Sequence, residues 1–225
     1  MKTILTPAAI ALSVSAALLA APAMAATNDD GGIQVFPMVS QLSANHKVEQ
    51  ISVVNKSNKT EYISVTPSTI GNIDTAHETF MNFDPTKQTP EQFGLIASPR
   101  KFALPAGQTR KIRIVALKPG ATDEYYSVDV QPAAGVVEAL KENKKGGVES
   151  AVSIVVGYRP MVIVLPPNPQ PKLTYTRHGD KLTIKNTGNS WARLHNVSQC
   201  NASGSDCKKF NIGPVYAGQT KTITM

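Results

Sequence analysis

Nothing after Ala25 keeps a helical period of apolar residues, and that excludes most architectures at once. What recurs instead is a short apolar and polar alternation closed by turn residues. Val48–Val54 is one such run and stops at Asn55-Lys56-Ser57-Asn58. Tyr62–Val65 is closed by Pro67, and Lys101–Leu104 leads through Pro105-Ala106-Gly107 into Thr109–Leu117. There Ile112 and Ile114 alternate with Lys111 and Arg113, the signature of a half-buried strand. Ile33–Val35, Tyr125–Val130 and Val148–Val156 add further strands, while residues 71–97, with Gly71, Pro85 and Pro90, read as a long irregular connection. About seven strands of this kind predict an immunoglobulin-like sandwich.

After Pro160 the alternation restarts. Met161–Leu165 stops at Pro166-Pro167-Asn168-Pro169. Leu173–Tyr175 and Leu182–Ile184 flank a hairpin turn at His178-Gly179-Asp180, and Trp191–Val197, Phe210–Ile212 and Thr220–Thr224 follow. The expected organisation is therefore all-β, with two sandwich domains at residues 26–158 and 159–225. The second is shorter than the ~100 residues a sandwich usually needs. It ends inside an alternating strand, so its last strands are expected beyond Met225.

Residues 1–25 are set apart by their chemistry. Lys2 precedes an Ala-rich apolar run from Ile4 to Ala21, which ends in Ala23-Met24-Ala25. A positive start, an apolar stretch and a small-residue cleavage site predict an exported chain beginning at Ala26. The run is rather short for a membrane anchor and carries a cleavage signal. Export makes the two cysteines legible: Cys200 and Cys207 flank a polar turn, and a lone close pair in an oxidising compartment predicts a local disulfide. Closing so short a loop stabilises by roughly 2–3 kcal/mol in the chain-entropy model.

Composition excludes more than it selects. The net charge of +7 suits an acidic partner, but the basic residues are scattered except at Arg110-Lys111-Arg113 and Lys208-Lys209. With few aromatics in an exported chain, no nucleic-acid partner is expected. No nucleophile elbow, P-loop or dinucleotide fingerprint occurs, and His46, His77, His178 and His195 lie far apart. Neither an enzyme, a metal, a cofactor nor a small-molecule substrate is expected.

The stretch 148–169 is the most informative. Val148, Ser150, Val152 and Ile154 point to one side of a strand, with Glu149, Ala151, Ser153 and Val155 on the other. Upstream lies Lys144-Lys145-Gly146-Gly147, and downstream Tyr158-Arg159-Pro160 leads into the second domain. Together with Pro105-Ala106-Gly107 before Arg113, Tyr125-Tyr126 before Pro132, and strand-ending Asn55 and Asn186, this order resembles the periplasmic chaperones of the chaperone–usher pilus pathway. The Cys200–Cys207 hairpin and the divergent first strand resemble the alternate branch that serves class 5-type fimbriae.

The resemblance implies two immunoglobulin-like domains set at an angle. It implies fimbrial subunits and an outer-membrane usher as partners, in the periplasm. It also implies donor-strand complementation, in which Val148, Ser150, Val152 and Ile154 fill the groove of a fimbrial subunit. The family's basic pair, which anchors the terminal carboxylate of that partner, falls at Val39 and Val155 here. Arg113, Arg159, Arg100 and Lys101 are the candidate replacements. Arg159 matches a junction arginine that joins an interdomain ion pair, with Asp123 or Glu124 as its expected partner. The alternatives are a secreted structural or adhesive sandwich, such as a pilus component, and a periplasmic hydrolase.

Overall fold

The computed structural model describes residues 32–133 and 155–225. The expected signal peptide lies outside the described residues. The strands run β1 (Ile33–Phe36), β2 (Val39–Leu42), β3 (Val48–Asn55), β4 (Glu61–Gly71) and β5 (Thr79–Asn82). A one-turn helix α1 (Pro90–Phe93) follows, then β6 (Leu95–Ser98), β7 (Lys101–Leu104), β8 (Thr109–Ala116), β9 (Glu124–Pro132) and β10 (Met161–Val164). One sheet has the order β1-β3-β8-β6; the other is β2-β10-β9-β4-β5, with β7 also on β4.

Alternation places the core where the residues require it. In β8, Ile112 and Ile114 are fully buried while Lys111 and Arg113 are exposed. Ile51, Val53, Ile112 and Ile114 of one sheet pack with Ile63, Val65, Val128, Val130, Val162 and Val164 of the other. Each is at most 2% exposed. Burying one such side chain is worth about 1.5–3 kcal/mol, so this core carries the first domain.

Three differences from the sequence reading have physical causes. β4 does not stop at Pro67 but runs on to Gly71. β7 pairs with residues 61–64 of that edge and β5 with 68–71, so Pro67 sits in the gap between them. Its carbonyl accepts from Phe83 on that side, and its missing N–H removes no ladder bond.

The 71–97 connection, in turn, contains β5, α1 and β6. The helix is set by a capping box: Thr89 Oγ1 accepts from the Gln92 N–H, and Gln92 Oε1 accepts from the Thr89 N–H. Pro90 opens it and Gly94, at φ 88°, ends it. A Cβ on Gly94 would also lie 2.5 Å from the Tyr126 hydroxyl oxygen, a position only glycine fits.

Finally, Met161–Val164 does not open the second domain. It pairs parallel with β2 and antiparallel with β9, completing the first sandwich. Val162, Ile163 and Val164 are all buried, and a run buried on both faces carries no periodicity that assigns it to a sheet.

The second domain holds β11 (Leu173–His178), β12 (Lys181–Asn186), β13 (Ala192–Leu194), β14 (Val197–Cys200), β15 (Cys207–Phe210), β16 (Gly213–Val215) and β17 (Thr220–Thr224). They form β11-β12-β17 and the pairs β13-β16 and β14-β15. The run expected over Trp191–Val197 is split between β13 and β14, where Asn196 takes φ 54°. The buried core is small: Ile184, Ile212 and Val215, with partly buried neighbours.

Both domains are closed by the same corner. Asn55 ends β3 and is fully buried; its Nδ2 donates to the carbonyls of Lys59 and Leu104, and its Oδ1 accepts from the Ser57 N–H and Oγ. Asn186 ends β12 and repeats the pattern, donating to the carbonyls of Ser190 and Val215 and accepting from the Gly188 and Lys172 N–H groups. The backbone of Asn55 bonds Gly107 and Gln108, and that of Asn186 bonds Gly218 and Gln219.

Candidate functional site

Val148, Ser150, Val152 and Ile154 lie outside the described residues, and the structure is informative about what adjoins them. Val155 and Val156 are 49% and 58% exposed. The chain then meets β9 at Tyr158, whose N–H and C=O both bond Val130 at 2.9 and 2.8 Å. Pro160 accepts from Val128, and β10 continues the ladder. β2 is the edge of this sheet, and Met38 and Val39 on it are exposed, as is Phe36 at the end of β1.

Arg159 departs from its expected role. Its guanidinium makes a two-pronged contact with Asp129, one residue before Val130 on β9 of the same domain. It also lies 4.3 Å from the centroid of the Phe80 ring on β5. Neither Asp123 nor Glu124 pairs with it. Arg113 is exposed on the outer face of the other sheet, between Gln50 and Ser98. Because Asp129 projects outward from its own sheet, Arg159 and Arg113 stand on opposite faces of the sandwich. Arg100 rests on the Phe83 ring, and Lys101 is exposed at the start of β7. The positions expected to carry the basic pair hold the exposed aliphatic side chains of Val39 and Val155.

Asp123 does bridge the domains, through a different set of partners. It is 7% exposed; its carboxylate accepts from the Ser190 hydroxyl at 3.0 Å, the Trp191 N–H at 2.5 Å and the Tyr125 hydroxyl at 3.0 Å. Burial holds its carboxyl above the usual range in spite of those three donors. The Asp123 N–H donates to the Asn189 carbonyl, and the Asn189 amide donates to Ala121. A second contact joins the turn after β4 to β17: the Gln219 amide donates to the Ile73 carbonyl, and Lys221 pairs with Asp74 at 2.7 Å. Between these contacts is a cavity of about 240 Å³ lined by Ile73, Asp74, Phe80, Arg159, Met161 and Tyr216, among others. The Tyr216 ring meets Tyr125 edge-on at 5.0 Å, and burial raises the Tyr125 phenol well above its ordinary value.

Asp74, Phe80, Asp129 and Tyr216 carry no short-range signal in the sequence. Their partners are supplied by residues distant in the chain. Cys200 and Cys207 form the expected disulfide across β14 and β15, and the Asn201 side chain orders the loop between them. Among the described residues no cluster of His, Cys, Asp or Glu could hold a metal, and no helix is long and apolar enough to cross a membrane.

No family model matches the chain. It is 30% identical over 196 residues to a CFA/I fimbrial subunit of Escherichia coli, covering 84% of this chain and 75% of that protein. Its fold is similar to that of the class 5 fimbriae chaperone CfaA, with a TM-score of 0.64 at 23% identity, over 86% of this chain and 85% of that one. It is also similar to a chain of a chaperone–tip adhesin complex of CFA/I fimbriae biogenesis, with a TM-score of 0.64 at 22% identity, over 85% and 84% of the two chains. Two immunoglobulin-like sandwiches, the junction Tyr158-Arg159-Pro160 and this kinship agree. The chain belongs to the PapD-like chaperones of the chaperone–usher pathway, on the branch of the class 5 fimbriae.

Proposed function

We propose that this chain is a periplasmic chaperone that binds fimbrial subunits by lending them the strand 148–154, and that it passes them to an outer-membrane usher. The observation that carries this reading is the apolar surface left open beside that segment. Val155 and Val156 follow it directly and are exposed, as are Met38 and Val39 on the edge strand β2. An open edge with aliphatic side chains is an aggregation hazard in a lone domain and an asset in one that donates a strand. In donation the strand's backbone completes the partner's sheet, while alternate side chains fill its groove. Burial of Val148, Val152 and Ile154 would contribute on the order of 4–9 kcal/mol before association costs, with Ser150 leaving one pocket less well filled.

Charge plays a smaller part in this reading than in the family pattern. Arg159 is already neutralised by Asp129, and Arg113 faces away from it. Val39 and Val155 supply apolar contacts where the family has a basic pair. The similar chaperone solved with a tip adhesin supports a component of the fimbria as the partner.

Co-expression with the subunits of its own fimbrial system tests the proposal. The periplasm is expected to yield a one-to-one complex of this chain with one of them. Recovery of the chain inside assembled fibres would instead make it a pilus component, and recovery only as a free protein would remove the chaperone role.

A further inference from the structure

We propose that Asp123 is the positioning residue that fixes the second domain against the first, a role the junction arginine does not play. The contacts across the junction have a consistent polarity. The first domain supplies acceptors: the Asp123 and Asp74 carboxylates and the carbonyls of Ala121 and Ile73. The second supplies donors: the Ser190 hydroxyl, the Trp191 N–H, the amides of Asn189 and Gln219, and the Lys221 ammonium. The single reversal is the Asp123 N–H, which donates to Asn189.

Of the two carboxylates, Asp123 acts where water is excluded. Asp123 and Ser190 are 7% and 3% exposed, so their charge-assisted bonds are neither screened by salt nor replaced cheaply by water. The side chains of Asp74 and Lys221 are 44% and 29% exposed, and that pair is weakened by salt. The donors that meet Asp123 are themselves held. They lie on the turn after β12 that Asn186 pins through the Ser190 carbonyl and the Gly188 N–H. The acceptor is held as well, because Tyr125 donates to Asp123 and packs on Tyr216 of the other domain. A rigid corner thus meets a rigid acid, and the angle between the domains follows. Arg159 closes its two-pronged contact within the first domain and touches none of these groups.

Spin labels on Lys111→Cys and Lys181→Cys, one in each domain of the full chain, would read this angle as a distance distribution. Both native cysteines are in the disulfide, which keeps the labels specific. The parent is expected to give one narrow distribution at low and high salt. Asp123→Ala should widen it about twofold or more, as expected when a rigid contact becomes a hinge. Asp123→Asn, which keeps the shape but loses the charge, should widen it less, and Arg159→Ala should leave it narrow. A parent-like distribution in Asp123→Ala would overturn the proposal. So would one in Asp123→Asn should the alanine variant not fold, or a widening in Arg159→Ala equal to that in Asp123→Ala.

Discussion

Replacing Asn186 with alanine is expected to unfold the second domain while the first stays folded. Asn186 is fully buried and satisfies two carbonyls and two N–H groups that have no other partner at that corner. Truncation leaves these groups buried and unpaired, at about 1–3 kcal/mol each before local relaxation, for a net loss of about 3 kcal/mol. The domain has little to set against that, since only Ile184, Ile212 and Val215 form its buried cluster. Asn55→Ala removes the same four bonds from the first domain and should cost a similar amount. There the larger core keeps the domain folded, with a lowered denaturation midpoint. Trp191 is the only tryptophan and lies in the second domain, so its fluorescence reports Asn186→Ala directly. Native Trp191 emission in that variant, with a loss below about 1 kcal/mol, would mean that the corner is dispensable.

The paired corners show what the sequence offers and what it withholds. The alternation in β8 and the hairpin at Gly179 and Asp180 are legible because their causes are local. Asn55 and Asn186 are recognisable as strand ends, but not as the centres of matching networks. A signal for that is present: Ala-Gly-Gln-Thr occurs at 106–109 and again at 217–220, each in the turn that closes on its asparagine. The capping box at Thr89 and Gln92 is equally local, but it sits in a segment whose glycine and prolines read as irregular. The sheet assignment of Met161–Val164 is not legible, since an apolar run buried on both faces looks the same in either domain. The acidic partner of Arg159 and the role of Asp123 are also beyond reach. Ser190 is 67 residues from Asp123, and no pattern links the two before the chain has folded.

Ile154→Asn is expected to abolish recovery of the bound partner while the melting temperature of the free chaperone stays unchanged. If Ile154 fills a pocket in the partner, the variant loses that burial and places an unpaired amide in the groove. The combined loss is about 3–5 kcal/mol, or roughly a hundredfold or more in affinity. Had Ile154 belonged to this chain's own core, the same change would lower the melting temperature and spare binding by the folded fraction. Measuring both quantities on one preparation separates the two cases. Ser150→Val runs the other way: filling the less occupied pocket should tighten the complex.

Strand donation itself is read most directly by amide hydrogen exchange along residues 148–156, in the free chain and in its complex with a fimbrial partner. A strand inserted into the partner's sheet places its amides in a new ladder, so the complex should show strong protection across Val148–Ile154 that the free chain lacks. Exchange unchanged over that segment, with protection appearing instead on the Lys111 and Arg113 face, would contradict donation and place the partner on the opposite sheet.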